Sequence, residues 1–471
     1  MSIALMLLVP LCAAGAILLV RKSFFSKIVL AATAVIQFVL ALSCKNQTQV
    51  LQLTSKISFA LDEMGSLVLN ISSLLFLVVS FYVVFWLPTE KKAALLRNNN
   101  HGEMGENIFC ALMIFFLFTM TLATTAQDFG MLWVAVEAST LASAPLVNYH
   151  RTANSLEAMW KYLLICSLGI GLALFGTMLL YVAIPGTETL NFKVLSVLSS
   201  SGKVDLPWFK AAFVFFLAGY GLKMGLAPFH TWLPDAHSEA PVAEAALLSG
   251  ALLNCVMLAI LRVIGITPVE LLDFTTAFLK FFGIFSLAVA AFFIVRQKDY
   301  RRLLAYSSVE NIGLIVLLFA FDQKDFAMLH MVGHSLCKMT LFLIAGNILL
   351  SCNVRTISGV RGLFSRLPLN GALWLLTLLA ICGTPPSPLF FSEFMLVKSA
   401  GVLWGSVILL LLFIIFCAMA DTALKMCMGE NDKSGLLPEI DAKVEKMALI
   451  PAFSLTLAVV CGVSVALSWI N

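Results

Sequence analysis

Five ionisable residues lie inside stretches of this sequence that are otherwise apolar: Glu137, Lys223, His334, Lys338 and Glu393. An ionisable side chain is costly in the hydrocarbon core of a bilayer, and it persists there where it faces protein or water and serves ion or proton movement. Carboxyl, amine and imidazole groups each take up and release a proton, and each responds to nearby charges. These residue types therefore predict stepwise proton transfer.

Glu137 and Lys223 are predicted to act as a pair. Glu137 lies about eight residues into its apolar stretch, and the small residues that follow it allow another helix to approach closely. Lys223 lies in a separate apolar stretch and is the natural partner of this carboxylate. Moving one charge would change the proton affinity of the other. A static structural ion pair is the alternative interpretation.

His330, His334 and Lys338 are spaced four residues apart, so on a helix they share one face. Such a stripe inside a membrane helix indicates a proton relay, because histidine titrates near neutral pH. A structural role is the alternative. A metal site is not predicted, because an ammonium group lies nearby and neither carboxylates nor thiolates are clustered with the imidazoles.

Two proline-containing breaks interrupt apolar stretches. Pro228 removes a backbone donor shortly after Lys223, and the run Thr-Pro-Pro-Ser-Pro at 384–388 precedes Glu393. Inside a bilayer, broken backbone is tolerated only where protein or water surrounds it. We therefore expect both breaks to lie along an ion path, with Glu393 solvated by water and by freed carbonyl groups. A structural role for Glu393 remains the alternative.

Four further residues are weaker candidates, each with a plain structural alternative. Glu310 is either a relay residue or a structural partner of the basic stripe. Lys161 either relays protons or extends its ammonium group to the membrane surface. His230 and His237 flank the first break, where they either connect the buried pair to the cytoplasm or simply face water.

The composition excludes a soluble protein. The chain has 471 residues, of which 61% are hydrophobic and 12% charged, and its mean hydropathy is +0.98. A soluble domain carries about twice that share of charge. The fold class is therefore an all-α polytopic membrane protein, with no nucleic-acid partner expected. The eleven cysteines are scattered without a CxxC motif or a Cys/His cluster, so no metal, iron–sulfur cluster, haem or other cofactor is expected.

Repeated apolar runs predict about fourteen transmembrane helices. The first run, Ile3–Val20, has no positive residue before it, so we expect a retained helix rather than a cleaved signal peptide. The excess of lysine and arginine in alternate loops predicts that both termini lie on the outer side.

Two groups of five helices each contain a broken helix as their fourth member, which predicts inverted repeats with a transport site. The predicted parts are 1–104 with helices 1–3, 105–268 with helices 4–8, 269–429 with helices 9–13, and 430–471 with a cytoplasmic loop and helix 14.

Two motifs carry a resemblance to a known family. K-M-G-L-A-P-F-H-T-W-L-P-D-A-H-S-E-A-P at 223–241 and R-R-L-L-A-Y-S-S-V-E-N-I-G at 301–313, together with Glu137, resemble the antiporter-like subunits of respiratory complex I. That superfamily includes membrane-bound nickel–iron hydrogenases and multi-subunit cation/proton antiporters. The resemblance covers roughly residues 105–400, and the motif variants are most similar to the hydrogenase-4 component F type, found in formate hydrogenlyases.

The resemblance implies roles for the candidate residues. Glu137 and Lys223 match the coupled pair of the first half-channel, His334 and Lys338 match the family's relay, and Glu393 matches its second broken-helix site. One departure is that residues 244–260 contain no lysine or histidine, where many relatives place a central relay residue.

The implied function is proton translocation within a redox complex of a prokaryotic inner membrane. The implied partners are neighbouring membrane subunits, the lipid bilayer and, indirectly, a peripheral redox arm. The subunit would perform no redox chemistry itself, so whether to class it as an enzyme stays open. One alternative is a subunit that exchanges Na⁺ for H⁺, which sodium-dependent activity would favour. The other is a structural membrane anchor, which loss of assembly on neutralising Lys223 would favour.

Overall fold

The computed structural model describes residues 2–44, 50–52, 57–97, 103–202, 204–429 and 438–470. In this part of the chain the structure is almost entirely helical, with twenty α-helices and one short antiparallel pair of strands. The strands are β1 (Leu51–Gln52) and β2 (Ser58–Phe59). The chain divides into two compact units.

The first unit comprises Met1–Leu77, Glu103–Trp232 and Ala251–Phe278. With helices numbered in chain order, it contains α1 (Ser2–Val20), α2 (Ser23–Ser43), the start of α3 (Glu63–Leu96), α4 (Glu106–Thr125), α5 (Phe129–Val147), α6 (Ala153–Ala183), α7 (Phe192–Ser200), α8 (Leu206–Lys223), α11 (Leu253–Gly265) and the start of α12 (Leu272–Ile294).

The second unit comprises Val78–Gly102, Leu233–Gly250 and Leu279–Asn471. Besides the remainders of α3 and α12, it contains nearly all of α9 (Trp232–Glu239), α10 (Val242–Leu247), α13 (Tyr300–Ala320), α14 (Lys324–Cys352), α15 (Leu363–Arg366), α16 (Pro368–Ile381), α17 (Pro388–Ser399), α18 (Gly401–Cys427), α19 (Pro438–Met447) and α20 (Leu449–Ile470).

Small residues let α6 and α8 pack at close range in the first unit. A Cβ atom added to Gly219 of α8 would lie 2.6 Å from the backbone nitrogen of Ala173 on α6, and one added to Gly169 would lie 3.1 Å from Gly219 O. Glycine brings two membrane helices into backbone contact in this way. The close crossing fixes the end of α8, where Lys223 lies.

Helix α14 lies at the centre of the second unit, where it packs against α10, α13, α16, α17 and α20. Glycines again allow close contact: a Cβ atom added to Gly346 would overlap Val242 of α10, and one at Gly333 would lie 2.7 Å from Pro388 Cγ of α17. This packing buries the polar side chains of α14 among helices.

Both predicted broken helices are broken in the structure, and the two breaks share one local geometry. After α8, the amide of Gly225 donates to Leu222 O and the amide of Leu226 to Gly221 O. After α16, Gly383 donates to Ala380 O, and the residue after it donates to Leu379 O. Each glycine has a positive φ, +82° and +67°, so each helix ends in a Schellman motif.

Twelve helices in the described residues are long and apolar enough to cross a membrane. They correspond to twelve of the fourteen predicted spans, and the other two predicted spans are the broken ones. The polytopic all-α fold class is confirmed. The span count of fourteen, the inverted repeats and the four-part division stay predictions. Residues 430–437 of the predicted cytoplasmic loop lie outside the described residues.

Candidate proton-transfer sites

Lys223 ends α8 with its side chain fully buried. Its ammonium nitrogen donates to Thr140 Oγ1 at 2.8 Å and to Tyr162 Oη at 2.7 Å. The nitrogen also lies 4.5 Å from the centre of the Tyr162 ring, within the range of a cation–π interaction. Tyr162 Oη is 2.8 Å from Ser143 Oγ. Two hydroxyl groups, one aromatic face and the negative end of the α8 dipole therefore stabilise this cation.

Glu137 lies on α5, one turn before Thr140, so the two side chains share a helix face. It is half-buried, and its Oε1 accepts a hydrogen bond of 2.7 Å from Ser167 Oγ. Glu137 and Lys223 are close enough to interact electrostatically. In the described part of the chain, however, no direct ion pair joins them. Lys223 instead contacts Thr140, which lies one turn after Glu137 on α5.

Among the described residues of the second unit, Lys338 is the lysine whose side chain is fully buried. Its ammonium nitrogen donates to Ser307 Oγ and to Leu304 O on α13, both at 2.6 Å. Glu310, one turn after Ser307, is buried and close enough to Lys338 for electrostatic interaction. A hydroxyl group again holds the lysine, with a carboxyl group nearby.

His330 and His334 lie on α14 with Lys338, and all three side chains are fully buried. His330 joins three helices, since its Nδ1 is 2.8 Å from Ser392 Oγ on α17 and its Nε2 is 3.1 Å from Asn311 Oδ1 on α13. His334 is different: neither ring nitrogen has a hydrogen-bond partner among the described residues. A buried imidazole without partners marks a polar site that ordinary packing does not explain.

Glu393 folds back from α17 onto the break that precedes it. A Cβ atom added to Gly383 would overlap Glu393 Oε2 and lie 2.7 Å from its Cδ. The glycine is thus needed twice, for its positive φ and for the space that the carboxyl group occupies. Glu393 is also within electrostatic range of Glu310, which brings the predicted carboxyl group of α17 near that of α13.

The structure places the remaining weaker candidates in different surroundings. Lys161 is exposed and forms an ion pair with Glu157 at 2.7 Å, one turn away on the same helix. His230 is buried in the short turn Phe229–Thr231 that follows the first break. The ring of His237 is fully buried, with its Nδ1 2.9 Å from Leu233 O.

Among the described residues, two fully buried charged side chains were not predicted from the sequence, Glu244 and Arg301. Glu244 on α10 is fully buried, and neither of its carboxyl oxygens has a hydrogen-bond partner in the residues described. The sequence carries a signal for it, since Glu244 is an acidic residue within an apolar run. Arg301, in the first turn of α13, is also fully buried and donates to the carbonyls of His237 and Ala240.

Several uncharged partners were also missed, since hydroxyl and amide groups are common in membrane helices and give no distinct signal. They are Thr140, Ser143, Tyr162, Ser167, Ser307, Asn311 and Ser392. Their roles depend on which helices meet, and a single sequence does not reveal that.

Residues 126–420, more than half of the chain, match the family model described as "NADH:quinone oxidoreductase/Mrp antiporter, TM". The chain belongs to this family. The predicted resemblance is therefore confirmed, and the chain is a multi-pass membrane protein.

Relatives of both predicted kinds are similar to this chain. A hydrogenase-4 component F homolog of Methylacidiphilum infernorum is 38% identical over 60% of this chain and 61% of its own length. An NADH-quinone oxidoreductase subunit N of Desulforudis audaxviator is 33% identical over 57% of this chain and 54% of its own length. The matched region thus spans less than two thirds of each relative.

A solved structure extends the likeness of fold to nearly the whole chain. A chain of the membrane-bound sulfane sulfur reductase, an archaeal respiratory membrane complex, superposes with a TM-score of 0.85. The match covers 99% of this chain and 95% of that one at 20% identity. At this identity the likeness shows the shared fold.

Proposed function

We propose that this chain is a proton-translocating, antiporter-like subunit of a membrane-bound redox complex of the hydrogenase or complex I type. The observation that carries the proposal is the buried Lys223, held by the hydroxyl groups of Thr140 and Tyr162 beside Glu137. A lysine solvated by neutral hydroxyls keeps no fixed counter-ion, so its charge responds to movement of the nearby carboxylate. The family and the relatives support this function.

The proposed mechanism uses electrostatic coupling rather than redox chemistry in the subunit. A change in a neighbouring subunit alters the charge or position of Glu137, and Lys223 gains or loses a proton in response. In the second unit, Lys338, His334, His330 and Glu310 transfer protons along α13 and α14, with Glu393 at the second break.

Glu244 and His237 join the proposed set, since both are buried ionisable groups in the second unit. Glu244 provides an ionisable group in the span where the sequence has neither lysine nor histidine.

The proposed setting is a prokaryotic inner membrane with both chain termini outside. The proposed partners are other membrane subunits and, through them, a peripheral redox arm. Proton movement is the leading choice, and Na⁺/H⁺ exchange is the second candidate because the family description includes Mrp antiporters.

The test uses membranes in which the parent complex carries Lys223→Ala, compared with Lys210→Ala. Lys210 is an exposed lysine on the same helix, over the Phe274 ring, and serves as the matched control. Redox turnover, the pH gradient and subunit content are measured together, with and without Na⁺. We expect Lys223→Ala to assemble, retain turnover and lose the gradient, while Lys210→Ala keeps all three.

Each other outcome would support a different hypothesis. A gradient that persists in Lys223→Ala would remove Lys223 from the path. Loss of assembly would favour the structural anchor. A wild-type gradient that forms only with Na⁺ would favour sodium exchange.

A further inference from the structure

A groove of about 910 Å³ lies in the second unit, between the end of α12, the segment around Ile357–Arg361 and the last turns of α18. Two backbone hydrogen bonds hold its floor together. Ile357 N donates to Lys298 O at 2.8 Å, and Gly362 N donates to Met428 O at 3.1 Å. The groove is therefore built by three tied segments rather than by one loop.

The groove is basic at its polar end. Lys298, Arg361 and Lys425 line it, with Asp421 as the acidic member of its lining. Asp421 is paired with Lys425 at 2.5 Å. Lys298 and Arg361 are exposed, and neither forms an ion pair within the described part of the chain. Two uncompensated positive charges therefore face any molecule in the groove.

The other end of the groove is apolar and open. Phe413 is 63% exposed and Val295 57% exposed, and both line the groove. Phe413 lies at the midpoint of α18, and Leu409 and Leu410 continue its exposed apolar surface from there toward the N-terminal end of this membrane helix. A ligand that fits has an anionic head and an apolar tail that follows α18.

We propose that this groove binds an anionic phospholipid, such as phosphatidylglycerol, with its phosphate between Lys298 and Arg361 and an acyl chain along α18. Basic pockets between membrane helices bind anionic headgroups on the cytoplasmic side, and these residues lie in loops predicted to be cytoplasmic. The volume lies near the upper end of ordinary ligand pockets, about 300–1,000 Å³, so a headgroup and the start of its chains have room.

The test uses the intact parent complex in phosphatidylcholine nanodiscs. These contain a small fraction of either phosphatidylglycerol or phosphatidylcholine with a diazirine on one acyl chain. After illumination, mass spectrometry measures lipid attached to the peptide that contains Phe413. Lys298→Ser/Arg361→Ser is compared with Lys443→Ser/Lys446→Ser, which removes the same charge from exposed positions of α19 outside the groove.

We expect phosphatidylglycerol to label this peptide more strongly than phosphatidylcholine. Removing Lys298 and Arg361 should reduce that labelling by roughly tenfold, since each basic residue contributes several-fold in affinity for an anionic surface. The α19 variant should keep it. Equal labelling by both lipids would overturn the proposal by leaving only apolar contact. Loss of labelling in the α19 variant would reduce it to a general charge effect, and absence of any labelling would assign the groove to a protein neighbour.

Discussion

The two units differ in where a buried lysine lies relative to the helix break. In the first unit, the buried lysine is the last residue before the helix break, so Lys223 and the break coincide. In the second unit, Lys338 lies on the unbroken helix α14, and the break is occupied by the carboxyl group of Glu393. Both lysines are nevertheless held by a hydroxyl group, with a carboxyl group in electrostatic range.

This difference shows that the backbone geometry of the break and the chemistry of the buried lysine are independent features. The shared Schellman geometry at Gly225 and Gly383 shows that the break is a backbone device, independent of the side chain placed beside it. The common chemistry lies in a lysine that has hydroxyl partners and no direct ion pair in the described residues. Such a lysine remains sensitive to distant charges, as a relay requires.

Gly383→Ala should have the largest effect on stability. The new methyl group would overlap Glu393 and force a positive φ on a residue with a side chain. We expect the free energy of unfolding to fall by about 2 kcal/mol or more, measured as a lower melting temperature of the purified complex. Gly401→Ala is the matched control, because it has a similar φ of +74° in open space. Equal losses in both variants would mean that Glu393 does not occupy the break.

Tyr162→Phe tests whether a hydroxyl group is needed beside the buried lysine of the first unit. It removes the hydroxyl that contacts Lys223 and Ser143 and keeps the ring beneath the ammonium group. We expect the free energy of unfolding to fall by about 1–2 kcal/mol. We also expect a smaller proton gradient in membrane vesicles that contain the normal amount of the subunit. Tyr181→Phe changes an exposed tyrosine on the same helix and should change neither quantity. An undiminished gradient in Tyr162→Phe would show that the hydroxyl is not part of the path.

Glu244→Gln should have the smallest effect on stability. Its carboxyl group is buried without a partner in the described residues, so an uncharged amide of nearly the same shape breaks no hydrogen bond found there. We expect an unchanged or higher melting temperature together with a reduced gradient. Full translocation with Gln at this position would exclude Glu244 from the path.

Much of the fold could be predicted from the sequence, because apolar length and proline position are local signals. The runs around α1, α5 and α14, and the breaks after Lys223 and before Glu393, needed no knowledge of tertiary structure. The spacing of His330, His334 and Lys338 similarly fixed their common helix.

The partners of these residues could not be predicted. Which hydroxyl meets Lys223, or that Ser392 reaches His330, depends on helix crossings that involve residues far apart in sequence. Burial could not be predicted from local context either. Arg301 lies in a basic cluster typical of a loop, yet it is fully buried and binds carbonyl groups at the end of α9.

The central claim is that a buried lysine in each unit carries protons. Lys338→Met tests this claim most directly, because Lys338 lies on an unbroken helix and its loss leaves the helix breaks unchanged. Methionine keeps a long side chain of similar volume and removes the charge. Protons translocated per electron pair would be measured in vesicles containing the parent complex. Lys280→Met serves as the control, since Lys280 lies over the Phe321 ring in the same unit. We expect electron transfer to continue in both variants and proton translocation to fail only in Lys338→Met. An unchanged proton-to-electron ratio in Lys338→Met would contradict the claim.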